Sequence, residues 1–304
     1  MAGGVTKFVP LRLDEQLIWK FDVEELERAI TANTKILLIN TPHNPTGKVF
    51  NHEEILQIIE IVKRNPQLTV VMDEVRWTSF LFNIHSLSSQ VYEKLVYDGQ
   101  SHLRFCSYPG MWDRTLTVSS AGKTFSCTGW KVGWIYGASH LVNPIMLANQ
   151  WIQFSVSTPA QRALVEILEI ADQPYGDCGS YYEYLRQMYE RKRNHLVETV
   201  QTVGLTPVIP QGGFFVMANT SQIQFPPQYL EQPLPNGSTA TRDWGFARWL
   251  TIEVGVTPIP PTSFYSQDTR QLGENLGLHP SLPSPSPRLL SLSSLSCHST
   301  ICFL

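Results

Sequence analysis

The residues best suited to chemistry in this sequence are two lysines, Lys123 and Lys131, in the glycine-rich stretch 118–134. They lie among hydroxyl-bearing and apolar residues, directly after a run that favours a β-strand. Lysine amines are activated by desolvation or by a neighbouring cation, and many then form a Schiff base with an aldehyde cofactor. A single lysine in a glycine-rich loop is more often simply solvated, so a catalytic role for Lys123 needs support from other residues.

That support comes from polar residues that follow predicted strands. Apolar, β-branched runs predict three strands, at 35–40, 68–72 and 114–118. Asn44, Asp73, Ser120 and Lys123 come just after the ends of these runs. Ligands of doubly wound sheets bind beyond the carboxyl ends of the strands. Asn-Pro is also an ordinary turn dipeptide, and an aspartate at a strand end is ordinary capping. Together, the four residues predict one ligand site.

Several segments together resemble the fold-type I, pyridoxal-phosphate aminotransferases; they are 40–48, 72–75, 109–115, and 120–126 with 129–134. Within that family the sequence is most similar to the kynurenine aminotransferases, also called glutamine transaminase K or cysteine-S-conjugate β-lyase. The resemblance runs from about residue 1 to residue 275, with one interruption. It implies an α/β fold, with an incomplete doubly wound large domain and a smaller αβ domain.

The resemblance implies the cofactor pyridoxal 5′-phosphate and assigns roles to residues that suit it. Lys123 matches the Schiff-base lysine and is the predicted catalytic residue. Asp73 matches the partner of the pyridinium nitrogen, and Asn44 matches the donor to the cofactor hydroxyl. A carboxylate at Asp73 would keep the ring nitrogen protonated, which makes the ring an electron sink. Lys123, once displaced by the substrate, could shuttle a proton.

Three further residues complete the predicted cofactor site. Ser120 and Lys131 match the family's phosphate ligands, and a hydroxyl with an ammonium suits a phosphate dianion. Tyr92 matches the tyrosine that donates to the cofactor oxygen. Residues 75–90 interrupt the family pattern and displace Tyr92 along the chain from the aspartate. We interpret 75–90 as translated intron sequence, with a genuine loop as the alternative.

Composition is typical of a soluble globular chain, with 304 residues, 42% hydrophobic and 16% charged, and a net charge of −3. No basic cluster indicates nucleic acid, and no apolar run has the length of a membrane span. Five scattered cysteines show no metal-binding spacing, which favours reduced thiols in an intracellular compartment. We therefore predict no metal, and we interpret Cys127 as a core residue.

Local signals predict several helices. A short helix is expected over 22–30, and a capping box formed by Asn51 and Glu54 opens a longer one that Pro66 stops. Pro144 and Pro159 suit first-turn positions. The remaining predicted elements are a helix over 180–203 that ends at Gly204, strands at 208–209 and 214–217, and a helix from 246.

Charged and aromatic groups outside the motif offer weaker candidates. The basic residues near the end of the predicted long helix favour a solvated face over a ligand site; they are Arg191, Lys192, Arg193 and His195. The aromatic candidates for a substrate pocket are expected to pack in the core; they are Trp130, Trp134 and Trp151.

The predicted domains are a partial large domain over 1–172, a partial small domain over 173–275 and a disordered Ser/Pro/Leu-rich tail over 276–304. We expect an amino-terminal part of the family's large domain to be absent. The family's strand with an arginine for the substrate carboxylate is also expected to be absent, and Arg288 in the tail is not assigned that role.

Two functions follow from these expectations. The first is an aminotransferase that moves the amino group of kynurenine, glutamine or another aromatic or sulfur amino acid to a 2-oxo acid, with cysteine-S-conjugate β-lyase activity. The second is a catalytically impaired fragment or isoform that binds the cofactor weakly or serves as a dimerisation partner. The resemblance implies a homodimer in the cytoplasm, or in mitochondria if an amino-terminal part carried a transit peptide.

Overall fold

The computed structural model describes residues 3–73, 95–234 and 237–265. The chain divides into two compact units. The larger unit consists of Val23–Arg193 with Pro210–Phe214. The smaller unit consists of the described residues within Met1–Asp22, Asn194–Ile209 and Phe215–Leu304. The predicted domain boundaries at 172 and 275 stay predictions, and the proposed insert at 75–90 and the tail lie outside the described residues.

The first described strands form a short hairpin in the smaller unit. Strand β1 (Arg12–Leu13) pairs antiparallel with β2 (Trp19–Lys20). The turn between them is held by Asp14, whose carboxylate accepts hydrogen bonds from the backbone N–H groups of Gln16 and Ile18, both at 2.9 Å.

The larger unit opens with helices and strands in alternation. Helix α1 (Val23–Ala29) is followed by β3 (Ile36–Asn40), α2 (His52–Arg64) and β4 (Thr69–Asp73). The predicted capping box is confirmed, because Asn51 and Glu54 exchange side-chain and backbone hydrogen bonds at the start of α2. Parallel strands joined by a helix of this kind form a βαβ unit, as the alternation of patterns predicted.

Two more strands complete a four-stranded sheet of order β3-β4-β5-β6. Strand β5 (Thr115–Ser120) lies parallel to β4, and β6 (Gly133–Gly137) lies antiparallel to β5. All three predicted strands are confirmed to within a residue or two, whereas β6 was not predicted. The register places Asn40, Asp73 and Val118 side by side, so the carboxyl ends of three strands share one edge.

Helices α3 (Ala121–Thr124), α4 (Ser139–Ile152) and α5 (Thr158–Ala171) lie in the larger unit, and α6 (Tyr181–Thr202) begins there and belongs to the smaller unit from Asn194 onwards. Pro159 lies in the first turn of α5, as predicted. Pro144 does not, because α4 already begins at Ser139 and no helix breaker stands between that residue and the proline. A proline inside a helix removes one backbone hydrogen bond, and α4 continues past it. Gly204 follows α6 with φ +81°, which confirms the predicted glycine stop.

The rest of the smaller unit contains β7 (Thr206–Val208), β8 (Met217–Asn219), α7 (Gln228–Glu231) and α8 (Arg242–Trp249), which continues into a π-helical turn, Leu250–Val254. Strands β7 and β8 pair antiparallel. The strand predicted at 214–217 therefore begins three residues later, and the helix predicted from 246 begins at Arg242. Among the described residues, no helix combines the length and hydropathy that a membrane crossing requires.

Candidate active site

Asn40, the last residue of β3, connects two of the predicted site residues. Its Nδ2 donates a hydrogen bond to the backbone oxygen of Asp73 at 3.0 Å and lies 3.3 Å from Asp73 Oδ2. Its Oδ1 accepts a hydrogen bond from the backbone N–H of Asn44 at 2.6 Å. Asp73 and Asn44 thus meet at one edge of the sheet through a residue that the sequence analysis did not assign to the site. The available signal was its position at the end of an apolar run.

The loop that carries Asn44 is closed by its own hydrogen bonds. The backbone N–H of His43 donates to Lys48 O at 2.8 Å, and that of Gly47 donates to His43 O at 2.7 Å. The His43 ring nitrogen Nδ1 lies 2.9 Å from the Thr46 hydroxyl. Burial and the nearby Lys48 ammonium lower the pKa of His43 to about 4, so its ring is neutral at neutral pH. These hydrogen bonds within the loop therefore fix the backbone that carries Asn44.

Lys123 lies on α3, a single turn that begins directly after β5. Ser120 caps this turn, because its Oγ accepts a hydrogen bond from the Gly122 N–H at 3.1 Å. The side chains of Ala121 and Thr124 are buried, whereas Lys123 is exposed. A Cβ on Gly122 would lie 3.0 Å from Thr128 Cα, so a larger residue would require the next segment to shift by a few tenths of an ångström. The turn thus leaves the lysine amine accessible beyond the end of β5.

Lys131 and Ser120 lie at the two ends of the same loop. Ser120 faces Gly133 across β5 and β6, and the backbone N–H of Ala121 donates to Val132 O at 3.0 Å. Lys131 immediately precedes Val132 and has a left-handed backbone, with φ 55° and ψ 36°. The pairing of β5 with β6 thus brings Lys131 back to the start of α3, which is where the resemblance predicts the phosphate ligands.

Five of the six predicted site residues therefore lie within the described chain, and Tyr92 lies outside it. Asn44 and Asp73 are joined through Asn40. Ser120 and Lys123 share the turn after the neighbouring strand β5. Within the described part of the chain, no cluster of three or more His, Cys, Asp or Glu side chains could hold a metal ion.

A comparison with protein families decides the lineage of this site. Residues 2–271 match the family model for aminotransferases of class I and II. The chain belongs to this family. The resemblance read from the motif segments is thereby confirmed.

The relatives of this chain share one name within the family. The chain is 42% identical to a kynurenine–oxoglutarate transaminase of Dictyostelium discoideum, in a match that covers 90% of this chain and 62% of that protein. It is 38% identical to kynurenine–oxoglutarate transaminase 1 of Mus musculus, in a match that covers 88% and 60%. The chain spans about three fifths of the length of the curated relatives it matches.

Solved structures confirm the predicted fold class, an α/β fold of fold-type I. Bna3p of Saccharomyces cerevisiae, itself a proposed kynurenine aminotransferase, superposes with a TM-score of 0.74 at 31% identity, covering 90% of this chain and 61% of that one. The N-succinyldiaminopimelate aminotransferase of Mycobacterium tuberculosis gives a TM-score of 0.66 at 27% identity, covering 87% and 63%.

The expectation of a solvated basic face near the end of α6 is wrong for one residue of this chain. The Arg193 side chain is buried and forms two hydrogen bonds to the Asp98 carboxylate, at 2.5 and 2.8 Å. That contact raises the pKa of Arg193 and lowers the pKa of Asp98. Arg193 follows Leu185 and Tyr189 at intervals of four, which places it on the buried face of α6. The flanking exposed residues Arg191 and Lys192 concealed this in the sequence.

The remaining residues that were expected to pack in the core differ in outcome. Trp134 and Cys127 pack against the buried cluster around Ala121 and Val132, as expected for core residues, and burial raises the pKa of the Cys127 thiol. Core packing is wrong for Trp130 and Trp151, whose side chains are 40% and 88% exposed. A residue that no sequence signal singled out, Phe214, lies with its ring centroid 5.3 Å from Lys123 Nζ.

Proposed function

We propose that this chain carries the cofactor-binding centre of a pyridoxal-phosphate-dependent aminotransferase of the kynurenine type. It would transfer the amino group of kynurenine, glutamine or another aromatic or sulfur amino acid to a 2-oxo acid, with cysteine-S-conjugate β-lyase activity. The observation that carries the proposal is an exposed Lys123 amine on the turn after β5, beside the strand whose last residue, Asp73, is hydrogen-bonded by Asn40. The names of the relatives support the substrate class.

The residues present fit pyridoxal 5′-phosphate. Lys123 supplies an accessible amine for attachment, and Asp73 supplies a carboxylate that Asn40 orients. The Ser120 hydroxyl and the Lys131 ammonium, at the two ends of one loop, would hold the phosphate. When bound, the cofactor delocalises the electron pair left at the substrate α-carbon.

The protein groups have separate tasks in this scheme. Asp73, as a carboxylate, would keep the ring nitrogen of the cofactor protonated, because its negative charge stabilises the protonated form. Lys123 Nζ, when not attached to the cofactor, would take the α-proton of the substrate and return it to the cofactor side. Asn44 would donate a hydrogen bond to the ring hydroxyl and so fix the plane of the ring. Proton transfer then runs through one amine, which makes Lys123 the residue to test.

The test is covalent trapping. With pyridoxal 5′-phosphate and borohydride, the unaltered chain should gain one pyridoxyl group at Lys123, detected by peptide mass spectrometry. Lys123→Ala should lose this label, because it removes the amine that the scheme assigns to attachment, whereas Lys131 is assigned to the phosphate. Lys192→Ala removes an exposed lysine of α6 and should keep the label. Equal labelling of the Lys123→Ala chain at another residue would refute the assignment.

A second function, as a dimerisation partner, is favoured by exposed apolar side chains on and just after α4. These are Met146, Leu147, Trp151, Ile152 and Phe154, and each is at least half exposed. Contiguous apolar surface of this kind marks a protein interface, and a homodimer in the cytoplasm is part of the proposal. The two functions separate in one assay: trapping at Lys123 with production of a 2-oxo acid from kynurenine supports the enzyme, and trapping without it supports the partner role.

A further inference from the structure

The segment Pro210–Phe214 is attached to the larger unit through its backbone. The N–H groups of Gln211 and Gly212 both donate to Gly47 O at 3.0 Å, and the Tyr97 N–H donates to Gln211 O at 2.9 Å. The segment is therefore hydrogen-bonded on one side to the loop that carries Asn44, and on the other to the residues before Asp98.

Two glycines make this close contact feasible. A Cβ on Gly212 would lie 2.7 Å from Leu95 O, and a Cβ on Gly47 would lie 2.2 Å from Pro210 Cβ. Neither distance leaves room for a side chain at Gly47 or Gly212. The backbone of 210–214 therefore lies in direct contact with the Asn44 loop and with Leu95. The position of the segment is set by backbone contact and leaves little freedom for the residue that follows Gly213.

Arg193 of α6 joins this segment to the rest of the unit. Its guanidinium donates to Pro210 O at 3.1 Å and to both carboxylate oxygens of Asp98. It also lies over the Tyr97 ring, 4.8 Å from the centroid, and the Tyr97 hydroxyl donates to Gly213 O. Burial raises the pKa of Tyr97, so that hydroxyl keeps its proton. The buried Arg193 guanidinium thus contacts Pro210 directly and Gly213 through Tyr97, near the two ends of the segment.

The last residue of the segment, Phe214, lies beside Lys123. The ring lies 5.3 Å from Lys123 Nζ and 6.0 Å from the ring of Tyr189. It packs with the buried side chains of Leu95 and Leu185. An ammonium above an aromatic face at this distance is stabilised by the ring, whereas a neutral amine is not.

We propose that Arg193 is a positioning residue that, through Asp98 and Pro210, holds the Phe214 ring against Lys123 Nζ, and that this contact lowers the reactivity of the Lys123 amine towards electrophiles. The importance of this effect rests on the proposed function, since that function gives Lys123 its role, but the effect itself is a property of the chain without cofactor.

The experiment measures the reactivity of Lys123 without cofactor. The full chain is treated with a trace of acetic anhydride at about pH 8, where only the neutral fraction of a lysine reacts. Peptide mass spectrometry then gives acetylation of Lys123 relative to Lys63, an exposed lysine of α2. Phe214→Leu should raise this ratio about two- to fivefold, the range expected for an exposed cation–π contact. Phe214→Tyr, which keeps the aromatic face, should leave it unchanged.

Arg193 is tested in the same way. Arg193→Met keeps the unbranched apolar stem of the side chain and removes its charge and hydrogen bonds, and it should raise the ratio in the same direction as Phe214→Leu. Arg191→Met removes the same charge from an exposed position on the same helix and should have no effect. Should Arg193→Met fail to fold, Asp98→Asn is the alternative, because it weakens the same contact from a side chain that is 57% exposed.

Several outcomes would overturn the proposal. A ratio that stays unchanged in Phe214→Leu, or that rises equally in Phe214→Tyr, would show that the aromatic face does not control the reactivity of Lys123. An increase in Phe214→Leu alone, with folded Arg193→Met and Asp98→Asn chains both unchanged, would remove Arg193 from the role. Failure of borohydride trapping at Lys123 would refute the proposed function and leave these ratios intact, so the two failures are distinguishable.

Discussion

At the scale of single residues, His43 makes the stability of the chain depend on pH. Its folded pKa of about 4 lies below the ordinary value of 6.5, because the ring is buried beside Lys48. The unfolded chain therefore binds a proton at a pH where the folded chain does not. The stabilisation from the neutral ring is fully present above about pH 6.5 and is lost as the pH falls towards 4. Because of this difference in proton binding, lowering the pH from 7 to 5 should reduce the free energy of unfolding by about 2 kcal/mol through His43.

His43→Gln tests this, because glutamine does not titrate. Urea unfolding followed by circular dichroism at pH 7 and pH 5 should show a loss of stability about 2 kcal/mol smaller in the variant than in the unaltered chain. His52→Gln is the control, since His52 is an exposed residue at the start of α2 whose ring contacts the Tyr108 hydroxyl at 2.8 Å. Equal pH dependence in the His43→Gln and unaltered chains would contradict the prediction.

At the scale of elements, Glu54 connects the start of α2 to the loop that carries Asn44. Its Oε2 accepts the Asn51 N–H at 2.9 Å, and its Oε1 lies 2.6 Å from Lys48 Nζ. The Lys48 side chain is only 4% exposed, so this carboxylate compensates a buried positive charge. Glu54→Gln removes the negative charge and should lower the free energy of unfolding by about 3 kcal/mol, the cost of breaking a buried ion pair from one side.

The controls separate the ion pair from the cap. Glu53→Gln changes an exposed neighbour in the same turn and should alter stability by less than about 0.5 kcal/mol. Lys48→Met combined with Glu54→Gln leaves no buried charge and should recover most of the loss. Chemical denaturation gives all three values. A double variant no more stable than Glu54→Gln would show that the helix cap, and not the buried charge, accounts for the effect.

At the scale of the whole molecule, the exposed apolar side chains around α4 are predicted to bind a second copy of the chain. Trp151 is 88% exposed and Phe154 81% exposed, and large aromatic anchors dominate the energetics of interfaces. Trp151→Ala should weaken self-association by about 2 kcal/mol, about thirtyfold in Kd. Leu56→Ala, at an exposed leucine of α2, should leave Kd unchanged. Sedimentation equilibrium measures both, and a chain that stays monomeric up to its solubility limit would refute the interface.

Much of this fold could be predicted from the sequence, because the relevant signals are local. The capping box of Asn51 and Glu54 and the stop at Gly204 depend on residues a few positions apart. The strand runs of the sheet were recognisable for the same reason. Their polar ends predicted that Asn44 and Asp73 would meet, since parallel strands that share a sheet place their carboxyl ends together. The missed strand β6 has two glycines in five residues and carries no strong strand signal.

The sequence by itself therefore determined the family and the turn after β5, and it predicted Lys123 on that turn as the site lysine. Only the tertiary structure decided which distant groups serve that lysine. Asn40 reaches Asp73 across neighbouring strands, and Arg193 is buried against Asp98 although it stands in a run of basic residues. Phe214 reaches Lys123 because glycines let two backbones meet. Such contacts depend on which segments pass close together in space, and no local pattern of residues encodes that.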